Sequence, residues 1–163
     1  MTKSNSPIPS GYHTATPYLF VRDCAGAIEF YQNAFGATEK LRMTLPNGKV
    51  GHAEIILRDS VIMLAEEAPA NGFPSPLSIN GSGAAVFLYV PDVDALFNCA
   101  VTNGATVILP VADQFYGDRV GTLKDPFGHV WSIATHKEDL TSTELSERME
   151  NFIQQSRTDI NSK

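Results

Sequence analysis

One pattern occurs twice in this chain, and that repeat constrains its fold more than any other feature. Residues 115–136 read FYGDRVGTLKDPFGHVWSIATH. Residues 119–124 and 129–135 are rich in β-branched and aromatic types, which favour strands. Between them, Asp125-Pro126-Phe127-Gly128 is a turn, in which Pro fixes φ and Gly supplies a positive φ. Residues 51–67, GHAEIILRDSVIMLAEE, again read as strand, tight Asp-containing turn and strand. Asp23 and Asp92 are 69 positions apart, Gly36-Ala37-Thr38 and Gly104-Ala105-Thr106 are 68 apart, and Asp59 and Asp125 are 66 apart. Offsets this constant, through cap, helix end and hairpin, predict one βαβββ unit used twice.

The remaining elements fall into place around that unit. Residues 14–21 read as a first strand, with Pro17 marking an edge or strand start. Asp23 caps a helix over 25–35, with Ala27, Ile28, Tyr31 and Phe35 at helical spacing and Gly36 closing it. Strands follow at 38–45, 50–58 and 61–66. In the second unit, a strand at 84–90 precedes Asp92, a helix over 93–102 and a strand at 106–109. Residues 1–11 read as a disordered arm and 12–140 as a single domain. Within it, module one spans 12–67, a Pro/Gly/Ser-rich linker 68–83, and module two 84–137. A last helix over 141–156, with a Thr141/Glu144 capping box, carries an apolar stripe of Leu145, Met149, Phe152 and Ile153. That stripe predicts packing on the body of the protein, with a dimer contact as the alternative. Residues 157–163 read as a tail.

The 163 residues suffice for one ordinary domain, and 43% hydrophobic content is that of a globular chain. A net charge of −6 gives no basic footprint for nucleic acid. No apolar run reaches a membrane-spanning length, and the N-terminus has no apolar signal core, so a cytoplasmic protein is expected. Cys24 and Cys99 make neither a disulfide framework nor a zinc cluster. Cys24 follows a helix cap, where a thiol can be activated, but a small buried residue is the simpler expectation.

The motifs PYLFVRD (17–23), AIEFYQNAFGA (27–37), HAEIILRDSVIMLAEE (52–67) and above all the 115–136 hairpin resemble the vicinal oxygen chelate superfamily. That superfamily includes glyoxalase I, extradiol dioxygenases and bleomycin-resistance proteins, and the resemblance is strongest to its PhnB-like branch. It implies an α+β fold in which tandem βαβββ modules form a cupped mixed sheet, followed here by a C-terminal helix. It also implies a cavity between facing cups, where superfamily enzymes hold a divalent metal through His, Gln or Glu on the first and last strands of each module. Those ligand positions land on Thr16, Met63, Ala85 and Ser132, none a competent ligand for a catalytic divalent ion.

Strand alternation predicts what faces the cavity. Ala53, Ile55 and Leu57 face the helices, which leaves His52 and Glu54 on the cavity side. Tyr18, Phe20, Met63, Phe87, Tyr89 and Ser132 face the same way. They form an aromatic wall with few polar groups, suited to a small molecule. His52 and Glu54 share a face as a base–orienter pair or as two legs of a displaced metal site, with His136 as the third. Arg119 is expected either to clamp an anionic group or to pair with a neighbour such as Asp118 or Asp125 to fix its loop, Tyr116 to sit in a lid or stacking loop or to pack in the core, and His136 either to reach the rim or to take a capping or surface role. The expected function is small-molecule binding in the manner of bleomycin-resistance proteins, with no cofactor. The alternative is a metal-dependent lyase, isomerase or dioxygenase using His52 and Glu54. The expected partners are an unknown small molecule and a second copy of the chain, with no nucleic acid and no membrane.

Overall fold

The structure is a computed structural model, and residues 6–161 are described, with side chains to 155. In chain order the elements are β1 (Tyr18–Val21), α1 (Cys24–Phe35), β2 (Thr38–Thr44), β3 (Val50–Leu57) and β4 (Ser60–Glu66). After a 3₁₀ turn at Pro69–Asn71 come α2 (Pro76–Ile79), β5 (Ala85–Tyr89), α3 (Val93–Thr102), β6 (Thr106–Asp113), β7 (Asp118–Lys124), β8 (Val130–His136) and α4 (Ser142–Asn161). The two halves have the same topology. One sheet has the order β1-β4-β3-β2, the other β5-β8-β7-β6, with the first strand of each parallel to its last.

Both repeated aspartates cap their helices. Asp23 Oδ1 accepts from Gly26 N at 2.9 Å, and Asp92 Oδ1 from Ala95 N at 3.0 Å. β1 is shorter than expected: pairing with β4 begins at Tyr18, one residue past Pro17, which has no N–H to give a ladder. β6 is longer than expected. It carries Pro110 on the sheet edge and crosses two register shifts before ending at Asp113.

The core lies between the sheets and the helices. Ala53, Ile55, Leu57, Ile62 and Leu64 are buried beneath α1, and Leu123, Trp131 and Ile133 occupy the same layer in the second half. The halves share this core. Tyr31 and Phe35 of α1 lie 5.3 and 4.9 Å, centroid to centroid, from Trp131 of β8. The fully buried Tyr31 hydroxyl donates to Asp125 Oδ2 at 2.7 Å. Asp125 also accepts from Trp131 Nε1 at 2.8 Å and from the backbone of Phe127 and His129 at 2.9 Å each. One carboxylate in the β7–β8 turn thus ties the second hairpin to the first helix.

The connecting segment 68–83 is folded rather than free. Glu67 Oε2 accepts from Ser75 N at 2.8 Å, and Phe73 stacks on Phe20 at 4.8 Å. In α4, the Thr141–Glu144 capping box forms as the spacing predicts. The stripe does not pack as expected. Leu145, Met149, Phe152 and Ile153 remain 37–50% exposed. The helix is anchored by Phe152 on Phe115 (5.1 Å) and by Arg148 on Glu138, and it runs on to Asn161 where a tail was expected. Part of the expected N-terminal arm, residues 1–5, lies outside the described residues, as do 162–163. No helix among the described residues is long and apolar enough to cross a membrane.

Candidate functional site

β3 places His52 and Glu54 on the sheet face away from the helices, because Ala53, Ile55 and Leu57 take the buried face. Glu54 is 7% exposed and is the centre of a polar cluster. It accepts a very short hydrogen bond from the Tyr12 hydroxyl. Lys40 Nζ lies 3.0 Å from its Oε2 and also stands 3.7 Å above the Tyr12 ring. His52 Nε2 lies 3.4 Å from Oε1, and His52 Nδ1 lies 3.1 Å from the Tyr18 hydroxyl. A neutral imidazole protonated on Nε2 satisfies both contacts, donating to the carboxylate and accepting from the phenol. The Tyr12 hydroxyl, then Lys40 and His52, hold the Glu54 carboxyl below the usual carboxylate range. Burial raises the Tyr18 phenol, which stays a neutral donor.

Tyr18 carries this chain into an aromatic surface. Its ring lies 4.6 Å from Phe20, and Phe20 stacks on Phe73. A groove of about 560 Å³ runs between β1 and β5, bordered by Tyr18 and Phe20 on one side and Phe87 on the other, with Ile79 of α2 at one wall. His129 Nε2 lies 3.1 Å from the Phe20 carbonyl. Met63 and Ser132 occupy matching places next to Tyr18 and Phe87 in the two sheets. Ser132 Oγ lies 3.0 Å from Thr122 Oγ1.

The other expected residues gather elsewhere. Tyr89 donates to Asp118 Oδ2 at 2.9 Å, and His136 Nδ1 lies 2.7 Å from Asp118 Oδ1. His136 Nε2 lies 3.1 Å from Asp139. Both carboxylates favour the imidazolium, Asp118 most, so the His136 pKa is raised. Tyr116 lies edge-on to Phe115 at 5.3 Å near the same end of module two. Arg119 is not at the cavity. Val120 and Thr122 take the open face of β7, so Arg119 points to the helix side. There it grips Asp94 through Nε (2.8 Å) and Nη2 (2.7 Å), and Asp113 through Nη1 (3.2 Å). Cys24 is fully buried and its thiol is pushed up to about 12, chiefly by desolvation, which makes it a packing residue.

The sequence reasoning missed Tyr12, Lys40 and Phe73. Tyr12 lies at the first position of the expected module one, ahead of its first strand, Lys40 on an edge strand exposed along its whole length, and Phe73 in the expected linker. Alternation flagged only their neighbours, Glu54 beside Tyr12 and Lys40 and Phe20 beside Phe73.

Repeated halves with this strand order, and an open-faced sheet in each, agree with a family-model match over residues 12–133, three quarters of the chain. The chain belongs to the glyoxalase/bleomycin resistance protein/dioxygenase superfamily. It is 38% identical over 137 residues to the uncharacterized protein Mb0911c of Mycobacterium bovis, covering 82% of this chain and 90% of that one. The solved structure of the Arabidopsis thaliana At5g48480 product is 29% identical, with a TM-score of 0.61, covering 76% of this chain and 98% of that one. A Bacillus cereus PhnB protein structure has a TM-score of 0.59 at 17% identity over 76% of this chain and 99% of its own, a likeness of fold alone.

Superfamily enzymes place a divalent ion on the open face, and the side chains here do not fit one. The positions that the family resemblance assigns to metal ligands hold Thr16, Met63, Ala85 and Ser132. At Glu54 an ammonium 3.0 Å away already supplies the positive charge that a metal would bring. Among the described residues no three His, Cys, Asp or Glu side chains are grouped as a metal would require, so His52, Glu54 and His136 do not form one set.

Proposed function

We propose that this superfamily member is a small-molecule binding protein whose ligand is a planar, largely apolar compound held in the groove between β1 and β5. The observation that carries the reading is that Tyr18 and Phe20 of β1 and Phe87 of β5 all line one groove, with the Tyr18 hydroxyl as polar anchor. A groove of about 560 Å³ suits a metabolite or an antibiotic-sized molecule. The Lys40–Glu54–His52 cluster orients the phenol and leaves its donor direction fixed.

A panel of planar aromatic compounds, screened by thermal shift and followed by calorimetry, tests this. At least one should raise the melting temperature, and Phe87→Ala or Tyr18→Ala should weaken its binding about tenfold. A panel with no response, or variants that bind as tightly as the parent, overturns the reading.

A second reading makes the groove catalytic. It rests on the continuous path from the Tyr18 phenol through both His52 nitrogens to Glu54, the geometry of a proton relay. Chemical change of a bound compound, abolished by His52→Ala but not by chelators, distinguishes it from sequestration.

Exposed apolar surface outside the groove supports the proposal of a homodimer. Leu41, Met43, Leu109 and the α4 stripe are exposed apolar surface of the kind a second copy covers. Light scattering should give twice the chain mass, and Met149→Glu with Ile153→Glu should halve it.

A further inference from the structure

The geometry points to a second ligand site, adjoining the aromatic groove and sharing Pro17, Val86 and Phe87 with it, that takes an apolar molecule bearing a carboxylate. A cavity of about 350 Å³ lies between the β3–β4 turn of module one and β5 with α3 of module two. Leu57, Val61 and Ile62 wall it from one side, Val86, Leu88 and Leu96 from the other. The first three are 2–6% exposed, so the cavity reaches the core layer. Arg58, Asp59 and Ser60 of the turn, with His13 and Thr16, form its polar edge.

Arg58 is unusual in two independent respects. Arg22, Arg42, Arg119 and Arg148 each hold a carboxylate. The Arg58 guanidinium has no hydrogen-bond or ion-pair partner among the described residues, although Asp59 is its neighbour in the chain. Asp59 Oδ1 instead accepts from Ser60 Oγ at 3.0 Å. Arg58 also has φ +60°, at the first central position of a two-residue hairpin turn where Leu57 pairs with Ser60. That position favours Gly or Asn, because a Cβ there crowds the backbone. An arginine held against backbone preference, with an unpaired guanidinium beside an apolar cavity, is the arrangement that binds an anionic head group and buries its tail.

Octanoate is the probe, with 1-octanol as the uncharged control, in calorimetry on the full chain. Octanoate should bind more tightly than octanol. Arg58→Gln should weaken octanoate about tenfold and leave octanol unchanged. Asp59→Asn, which removes the opposing charge from the same turn, should tighten octanoate. Leu88→Phe, filling the cavity, should abolish both, with melting temperature and circular dichroism confirming the fold. Tyr18→Ala should change neither, which separates this site from the aromatic groove. Equal affinity for the two probes, no binding of either, or indifference to Arg58→Gln overturns the proposal.

Discussion

The two halves of this molecule share one strand order, yet they keep their polar groups in different places. In module one the row across the sheet is Tyr18, Met63, Glu54 and Leu41; in module two it is Phe87, Ser132, Thr122 and Leu109. A buried carboxylate with three partners thus faces a pair of neutral hydroxyls. The hairpin turns differ in the opposite sense. Asp59 is exposed and bonds only its neighbouring serine, whereas Asp125 is 3% exposed and accepts four hydrogen bonds. A repeat therefore fixes backbone and register, while ionisable groups are free to specialise: module one sets its buried carboxylate in mid-sheet at Glu54, whereas module two sets one in the turn at Asp125 and another at the end of β7 at Asp118.

The largest test of that contrast is in the turns. Asp125→Ala leaves a buried phenol, an indole and two amides without an acceptor, and should cost on the order of 3–5 kcal/mol in urea denaturation. Asp59→Ala should stay within about 0.5 kcal/mol. Equal losses would erase the distinction.

Next come matched positions beneath the helices. A Cβ on Gly121 would lie 2.6 Å from Phe97 and 2.7 Å from Val111, whereas module one has Ala53 at this place and Ile28 where Phe97 stands. Gly121→Ala should cost about 1–3 kcal/mol by overpacking, and pairing it with Phe97→Ile should recover part of that loss.

The open faces differ in their response to acid. The Glu54 pKa is lowered in the fold, so its contribution is complete above the ordinary carboxylate range and is lost as pH falls through the lowered value. Glu54→Gln should cost about 1–3 kcal/mol near neutrality, and the gap to the parent protein should narrow in acid. Thr122→Val, at the matching place, should show no such pH dependence.

The smallest effect belongs to His136. Its pKa is raised, so its stabilisation is present below about pH 6.5 and is lost as pH rises through the higher folded value. His136→Gln should flatten the melting temperature over that interval and move little else.

Alternation and constant offsets made most of this legible. Ala53, Ile55 and Leu57 had to be core, so His52 and Glu54 had to face outward, and Trp131 had to lie beneath a helix. The same rule applied to Gly121 and Leu123 assigns Arg119 to the helix side. What the sequence could not display was contact across distance. Nothing local ties Tyr12 to Glu54, 42 positions away, or Tyr31 to Asp125, 94 away. A folded connector with a buried Ser75 has the composition of a flexible one, because Pro and Ser serve caps and short helices as readily as loops.

The bond from Tyr31 to Asp125 has a consequence for how such a duplication ages. Once a loop of the later copy supplies the acceptor for a phenol buried in the earlier one, neither copy can be excised and still bury its own polar groups. Separately expressed fragments ending and beginning near Gly81 should be poorly folded alone and should recover structure only when mixed. The ancestral half-protein has become half of an obligate pair within one polypeptide.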